Sequence, residues 1–123
     1  MWTSGARLPS KSDTAGAQPF ACNPWFTMHS MVNRLNKNRL TIDEGEAVTV
    51  EEAIRAFTID AACALGHEHS RGTIAPGKFA DLAVLTLDPL TIPTTQLPEV
   101  TSTLCLIGGE IAFTDQTLDA AHR

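Results

Sequence analysis

The sequence lacks long apolar runs and a secretory signal, and it has little positive charge. Each of these properties argues against a class of protein. No apolar run approaches the roughly 20 residues that a membrane-spanning helix needs, and Met1–Arg7 contains no apolar stretch of the kind that marks a secretory signal. Positive charge is scarce: 9 Lys and Arg against 14 Asp and Glu give a formal net charge of −5, whereas nucleic-acid-binding domains carry a basic patch. We therefore expect a cytoplasmic protein that binds neither membranes nor nucleic acids.

Cysteine is sparse and tyrosine is absent. The three cysteines, Cys22, Cys63 and Cys105, are odd in number and lack the spacing of a metal site. This pattern is typical of buried, reduced thiols in a reducing compartment. Apolar residues still make up 43% of the chain, which excludes a disordered protein. A length of 123 residues suffices for one ordinary domain.

The first half of the chain, from residue 24 to residue 66, predicts helices. Asn23 is placed to cap a helix that begins at Pro24, because proline is favoured at the first helical position. Gly45 then interrupts the helical pattern. Apolar side chains follow Pro24 at helical spacing and form one broad stripe: Trp25, Phe26, Met28, Met31, Val32 and Leu35.

A second helical stretch begins at a capping box. The Thr49 hydroxyl can accept a hydrogen bond from the Glu52 amide while the Glu52 carboxylate reaches back, and Gly66 has the position of a left-handed residue that ends a helix. Thr58 and Asp60 could cap a further short helix, so this stretch is either one helix or two helices with a bend. Its apolar face consists of Ala53, Ile54, Phe57, Ala61, Ala64 and Leu65.

The second half of the chain predicts a small β-sheet. Strands are expected at residues 79–86, 100–107 and 110–114, and Gly108-Gly109 forms a two-residue hairpin between the last two strands. Helices followed by strands predict an α+β fold.

The residues that lead into the first strand have definite structural demands. Gly72 permits tight backbone geometry, and Pro76 fixes the backbone before Gly77, as in a type II turn. Lys78 can cover apolar surface with its stem while its charge stays in solvent. Asp81 stands within an apolar strand and therefore needs a partner, either backbone amides or a nearby basic group.

Residues with recognisable chemistry are few. His67 and His69 have the His-x-His spacing of metal ligands, but they follow a helix end and precede turn residues, so a solvated loop is the simpler interpretation. His29 lies beside the apolar stripe of the first helix, where packing is commoner than ligation. Asp13, in a loop rich in Ser, Thr and Gly, is by itself a turn former. The sequence contains no P-loop, CxxC pair or Ser-His-Asp pattern.

Taken together and in order, several segments resemble the C-terminal end of the metal-dependent amidohydrolase superfamily. The branch they resemble most is amidohydrolase family 3, similar to exoenzyme-regulatory proteins and N-acyl amino-acid deacylases. The most specific motif is Gly-x-Ile-x-Pro-Gly-Lys-x-Ala-Asp-Leu at residues 72–82. The other segments are Ser12-Asp13, Asn23-Pro24-Trp25, residues 48–58, Ala61-Ala62, Asp88-Pro89 and the hairpin that begins at Val100.

The resemblance implies a (β/α)8 barrel whose site lies at the C-terminal ends of the strands. Asp13 matches the aspartate that ends the last strand and that ligates a divalent metal, commonly zinc, or accepts a proton from the metal-bound water. That water attacks an amide or related C–N bond. The family's early His-x-His, its mid-chain Lys or Glu and its two further histidines have no match here. We therefore expect the chain itself to hold no metal.

The resemblance implies that this chain is a C-terminal fragment of an amidohydrolase. Residues 1–71 then correspond to the end of the barrel, a loop and its last helices, and residues 72–123 to part of an accessory β-sandwich domain, with a small sheet open at an edge. We expect this fragment to be inactive alone toward small-molecule amides. Its Trp25, Phe26 and Met28 face should be exposed, which would favour homo-oligomers. The alternative is a non-catalytic binding or assembly module derived from the same family.

Overall fold

The computed structural model describes residues 9, 23–35, 38 and 40–115. Within them, three short helices precede a three-stranded antiparallel sheet, which confirms the predicted mixture of helix and sheet. Asp13, Cys22 and His122 lie outside the described residues. No helix in the described ranges is long and apolar enough to span a membrane.

Helix α1 spans Pro24–Asn33 and begins as the sequence predicts. The Trp25 amide donates a hydrogen bond to the Asn23 side chain at 3.0 Å. Pro24 occupies the first helical position, where its missing N–H is not needed. The helix ends at Arg34, whose backbone is left-handed with φ of 50°.

The prediction of helix through residues 24–66 is wrong between the first and second helices. Leu35 does not continue the apolar stripe of α1 but pairs with Thr41 in an isolated β-bridge. In the described residues of the connection that follows, a 3-10 turn spans Glu44–Glu46. The left-handed backbone of Arg34 redirects the chain, because a non-glycine residue with positive φ cannot continue a right-handed helix.

Helix α2, Val50–Phe57, begins at the predicted capping box. The Glu52 amide donates to the Thr49 hydroxyl at 3.1 Å, and the Thr49 amide donates to the Glu52 carboxylate at 2.8 Å. These bonds satisfy amide groups that the first turn of a helix leaves without partners. The hydrogen bond from the Thr49 amide, assisted by the Thr49 hydroxyl, holds the pKa of Glu52 below its usual value.

Helix α3, Ile59–Ala64, follows α2 after a bend at Thr58, so the stretch consists of two helices. The Thr58 backbone departs from helical geometry, with φ of −115° and ψ of −93°. Its hydroxyl donates to the Ile54 carbonyl at 2.8 Å and makes no capping bond to α3, contrary to the prediction. Gly66 follows the helix end with φ of 70°, which confirms its predicted left-handed conformation.

Lys78 stabilises the turn between α3 and the sheet through both its backbone amide and its ammonium group. Gly77 has φ of 86°, and the Lys78 amide donates to the Ala75 carbonyl at 3.2 Å, which closes the predicted turn. Lys78 is partly buried, and its charged group has protein partners as well as solvent. Its ammonium group donates to the backbone carbonyls of Glu68 at 2.5 Å and Arg71 at 3.2 Å, because carbonyl groups in the tight turn after α3 need donors.

Gly72 brings the chain into direct contact with α3. A Cβ at this position would lie 2.8 Å from the Ile59 Cα and 2.9 Å from the Ala62 Cβ. Its φ of 90° is also a conformation that side-chain-bearing residues rarely adopt. Both the lack of room for a Cβ and the positive φ therefore require glycine at position 72.

The sheet consists of β1 (Leu82–Leu85), β2 (Ser102–Ile107) and β3 (Glu110–Thr114), in the order β1-β2-β3. All neighbours are antiparallel. The third strand has its predicted bounds, whereas the first and second are shorter than the predicted 79–86 and 100–107. Just outside these bounds, Thr86 and Thr101 still bond each other: the Thr86 amide donates to the Thr101 carbonyl at 2.9 Å, and the Thr101 amide donates to the Thr86 hydroxyl at 3.1 Å.

Asp81, just before β1, anchors the hairpin between β2 and β3. Gly108 and Gly109 have φ of 60° and 89°, which fits the predicted two-residue turn. The Gly108 amide donates to Asp81 Oδ1 at 2.8 Å, and Arg71 Nε lies 3.4 Å from Asp81 Oδ2. The Gly109 amide donates to the Ala80 carbonyl at 3.0 Å. Asp81 thus has both kinds of partner that its position predicted.

The core forms around a 3-10 helix, Thr94–Glu99, that the sequence analysis did not predict. Leu97 in this helix and Val100 after it are fully buried. They belong to one cluster with Trp25, Met28 and Ala53 from the helices. The expected exposed face of α1 is therefore wrong for Trp25 and Met28, because the unpredicted 3-10 helix covers them; Phe26 remains exposed.

Side-chain hydrogen bonds connect the same 3-10 helix to both ends of α1. The Thr94 hydroxyl donates to Asn33 Oδ1 at 2.7 Å, and Asn33 Nδ2 donates to the Thr94 carbonyl at 3.2 Å. At the other end, Asn23 Nδ2 donates to the Pro98 carbonyl at 3.4 Å. Helices and sheet are thereby joined around α1.

The Gly72→Ala substitution is expected to lower the free energy of unfolding by about 2–4 kcal/mol, because it adds left-handed strain and overpacking against α3. Gly77→Ala is a matched control, since Gly77 has a similar φ but open space around its Cβ. It should cost only the backbone strain, about 1–2 kcal/mol. Urea denaturation measures both values, and equal losses would contradict the proposed contact with α3.

The lowered pKa of Glu52 predicts a pH-dependent contribution to stability. A carboxyl group with a lowered folded-state pKa stabilises the protein above its unfolded pKa, and this contribution is lost as the pH falls through the folded pKa. Below the usual Glu value of 4.5, the melting temperature of the wild type should fall more steeply than that of Glu52→Gln. Glu51→Gln is the control, because Glu51 takes no part in the capping box. Parallel curves for wild type and Glu52→Gln would contradict this expectation.

Asp81→Ala is expected to cost about 1–2 kcal/mol, because it leaves the Gly108 amide without its acceptor. Asp81→Asn keeps an acceptor oxygen and should cost less, since the partly exposed ion pair with Arg71 contributes under about 1 kcal/mol. Chemical denaturation of both variants measures the difference. If Asn and Ala destabilise equally, the ion pair is the dominant interaction.

Candidate functional site

The candidate residues from the sequence do not converge in the described part of the molecule. Asp13 lies outside it. His67 and His69 lie in the turn after α3, as predicted, and the His69 side chain is 92% exposed. Among the described residues, no three His, Cys, Asp or Glu side chains are grouped so that they could hold a metal ion.

His29 occupies the packed position that its place in α1 predicts. The side chain is partly buried, and this burial lowers its pKa. A lowered pKa favours the neutral imidazole. Its environment agrees with a packing role.

The structure does bring together an apolar cleft between the helices and the first strand, with a volume of about 680 Å³. Trp25 and Met28 from α1 line it, together with Ile54 and Phe57 from α2. The whole of β1, Leu82–Leu85, also contributes to the lining. Ala62 of α3 and residues of the turn between α3 and β1 line it as well, so the cleft depends on the relative positions of all of these elements.

Arg71 and Asp81 are the two charged side chains of the cleft lining. Arg71 Nε lies 3.4 Å from Asp81 Oδ2, and the two side chains are 51% and 29% exposed. The guanidinium carbon also lies 5.1 Å from the centre of the Phe79 ring, which is a cation–π distance. The cleft therefore combines an apolar lining with one oriented pair of opposite charges.

Sequence reasoning did not find this cleft. The sequence indicates apolar faces on α1 and α2 and an apolar first strand, but no linear pattern shows that these faces leave space between them. One signal was available, because the motif at residues 72–82 supplies part of the lining. Its contributions are Gly72, Thr73, Ile74, Phe79, Asp81 and Leu82.

Comparison with known proteins identifies relatives for most of the chain. Residues 1–113 match the amidohydrolase family. N-substituted formamide deformylase from Arthrobacter pascens is 33% identical over 91 residues, which are 74% of this chain and 17% of that protein. The Bacillus subtilis protein YtcJ, whose name assigns it to the amidohydrolases, is 36% identical over 77 residues, which are 63% of this chain and 15% of that protein.

A solved structure gives a partial match. The crystal structure of an amidohydrolase from Thermotoga maritima MSB8 aligns with a TM-score of 0.48 and 27% sequence identity, and the alignment covers 58% of this chain and 17% of that chain. The chain spans 17% and 15% of the length of the two relatives. Because the family match extends over residues 1–113, this chain belongs to the amidohydrolase family.

Proposed function

We propose that this chain is the C-terminal portion of a metal-dependent amidohydrolase that hydrolyses carbon–nitrogen bonds other than peptide bonds, and that it is inactive alone. The proposal depends on the amidohydrolase match over residues 1–113. The proposal that the chain is one portion of a longer protein is supported by its coverage of two relatives, since it spans 17% of the length of one and 15% of the other. The amidohydrolase family is generally metal-dependent.

A small-molecule amide is the proposed substrate of the full-length protein. One relative is named for its action on N-substituted formamides, and that relative is 33% identical over most of this chain. The branch that the sequence resembles also acts on N-acyl amino acids. Both classes contain an amide bond that water can hydrolyse.

Asp13 is the proposed catalytic residue of this chain, as a metal ligand or a proton acceptor. A carboxylate suits either role because it is ionised at neutral pH. We propose zinc as the metal of the full-length protein. A zinc ion takes about four ligands, so the other ligands must come from outside this chain.

We further assign residues 1–71 to the end of a barrel and residues 72–123 to part of an accessory β-sandwich domain. The order of elements supports this division, because the three helices precede residue 72 and the three strands follow it. The motif at residues 72–82 would then mark the return of the chain from barrel to sheet.

The alternative proposal is a non-catalytic binding or assembly module, and exposed apolar side chains favour it. Ile74 is 88% exposed, and Ile111 and Phe113 are exposed on β3. Apolar surface of this kind is commonly covered by another part of a larger protein or by a partner. A second copy of this chain is the simplest partner to test.

The purified chain is expected to bind no stoichiometric zinc and to hydrolyse neither an N-acyl amino acid nor an N-substituted formamide. The reason is that Asp13 supplies one ligand where zinc takes about four. Elemental analysis, zinc titration and activity assays of wild type and Asp13→Ala check this. Zinc that is lost on Asp13→Ala, together with hydrolysis by the wild type, would show that the chain is itself an enzyme.

Two further measurements separate the proposals. Sequencing of the DNA upstream of the Met1 codon should reveal in-frame coding for a His-x-His motif if the chain is part of a hydrolase. Light scattering should reveal a defined oligomer if the chain is an assembly module. A stop codon directly upstream combined with a stable dimer would favour the module.

A further inference from the structure

We propose that copies of this chain associate head-to-tail: β3 of one copy pairs with the free edge of β1 in the next copy and places an apolar side chain in the cleft beside it. The proposal deepens the assembly-module alternative, on which it rests, and it holds whether or not the chain is part of a hydrolase. Two different surfaces of the described molecule meet in this contact, so the interface is of the heterologous kind.

The cleft lies against the edge of β1 and not only against one of its faces. All four consecutive residues of β1, Leu82–Leu85, line it, although neighbouring side chains on a strand point to opposite faces. Among the described strands, β1 is at an edge of the sheet and pairs with β2 alone. A strand that enters the cleft can therefore lie beside β1 and pair with it.

Backbone groups of β1 are available for such pairing. The Ala80 carbonyl accepts a hydrogen bond from the hairpin that follows β2, and the Thr86 amide donates one to the residue that precedes β2. Both residues are at even positions, and backbone groups alternate in direction along an antiparallel strand. The amide and carbonyl groups of Ala83 and Leu85 therefore face away from β2. They form no hydrogen bond to a described residue outside the sheet, so an added strand can bind them.

The strand β3 fits this edge. It is the other edge strand of the described sheet, and Ile111 and Phe113 on it are 67% and 49% exposed. Phe113 lies opposite Cys105, which lies opposite Ala83, and Ala83 lines the cleft. When β3 of a second copy extends the sheet beside β1 with the same face toward the helices, its Phe113 lies on the side of the cleft.

The cleft offers an apolar environment to this side chain, in a volume of about 680 Å³. Four side chains of α1 and α2 line it: Trp25, Met28, Ile54 and Phe57. Removal of apolar surface from water is favourable, and the flexible Met28 thioether adapts to irregular shapes. Burial of Phe113 thus adds to the hydrogen bonds between the paired strands.

Charge predicts how the association depends on salt. The strand β1 contains no charged residue, and Glu110 is the single charged residue of β3, so the contact is mainly apolar. Each copy carries a formal net charge of −5, and two copies therefore repel each other. Salt screens this repulsion without weakening an apolar contact, so the association should strengthen at high ionic strength.

Lysine substitutions on the two surfaces test the pairing. Val84→Lys places a charge at the β1 edge and Phe113→Lys places one on β3, where charged side chains oppose strand addition. Both positions are about half exposed, so circular dichroism and the melting temperature should stay close to wild type. Each variant should weaken self-association at least about tenfold in sedimentation measurements. Leu65→Lys is the matched control, since Leu65 is 73% exposed and belongs to neither surface.

A mixture of the two variants gives the decisive measurement. Val84→Lys keeps an intact β3, and Phe113→Lys keeps an intact β1 edge. An equimolar mixture should therefore form 1:1 dimers at a concentration where each variant alone is monomeric, and a folding defect would not be rescued in this way.

Four outcomes would overturn the proposal: a monomeric wild type, variants that associate as wild type does, a mixture that stays monomeric, or an oligomer that high salt dissociates. A monomeric wild type also removes the assembly-module alternative. An oligomer that neither variant affects leaves that alternative and excludes only this contact. The zinc and activity assays of the hydrolase proposal are independent of both results.

Discussion

Burial of Leu97 and Val100 against the helices is the interaction on which the rest of the structure depends. A three-stranded sheet with four to six residues per strand buries little surface by itself, and α1 to α3 are short for independent helices. Leu97 in the 3-10 helix before β2, and Val100 directly after that helix, pack among Trp25, Met28 and Ala53. This contact brings the sheet against the helices and thereby also defines the cleft between α1 and β1.

The motif that makes the family recognisable has a structural role at nearly every conspicuous position. Gly72 touches α3, Gly77 allows a tight turn, and Lys78 donates to backbone carbonyls of the preceding turn. Asp81 anchors the hairpin through Gly108. The described contacts of the motif therefore stabilise the connection between the helices and the sheet. They are no direct evidence of a catalytic centre. In our proposal the catalytic contribution of the chain is confined to Asp13.

Apolar surface in this molecule occurs in two physical settings. The cleft between the helices and β1 has a mainly apolar lining, in which Arg71 and Asp81 are the two charged side chains. Ile111 and Phe113 instead lie exposed on β3, which is an edge strand among the residues that the structure describes, and an edge strand favours pairing with another strand. The first setting is concave, whereas the second is an open strand surface of the kind that another chain or a further part of a larger protein covers.

Local signals in the sequence determined the features that depend on near neighbours. The Asn23 cap, the capping box of Thr49 and Glu52, the left-handed Gly66 and the Gly108-Gly109 hairpin each follow from a few adjacent residues, and the family follows from the order of such motifs. Tertiary structure alone decided the burial of Trp25 and Met28, the 3-10 helix at Thr94–Glu99 and the cleft. The physical reason is that these features depend on contacts between residues about 25 to 75 positions apart. The free energy of such contacts has no signature in local periodicity.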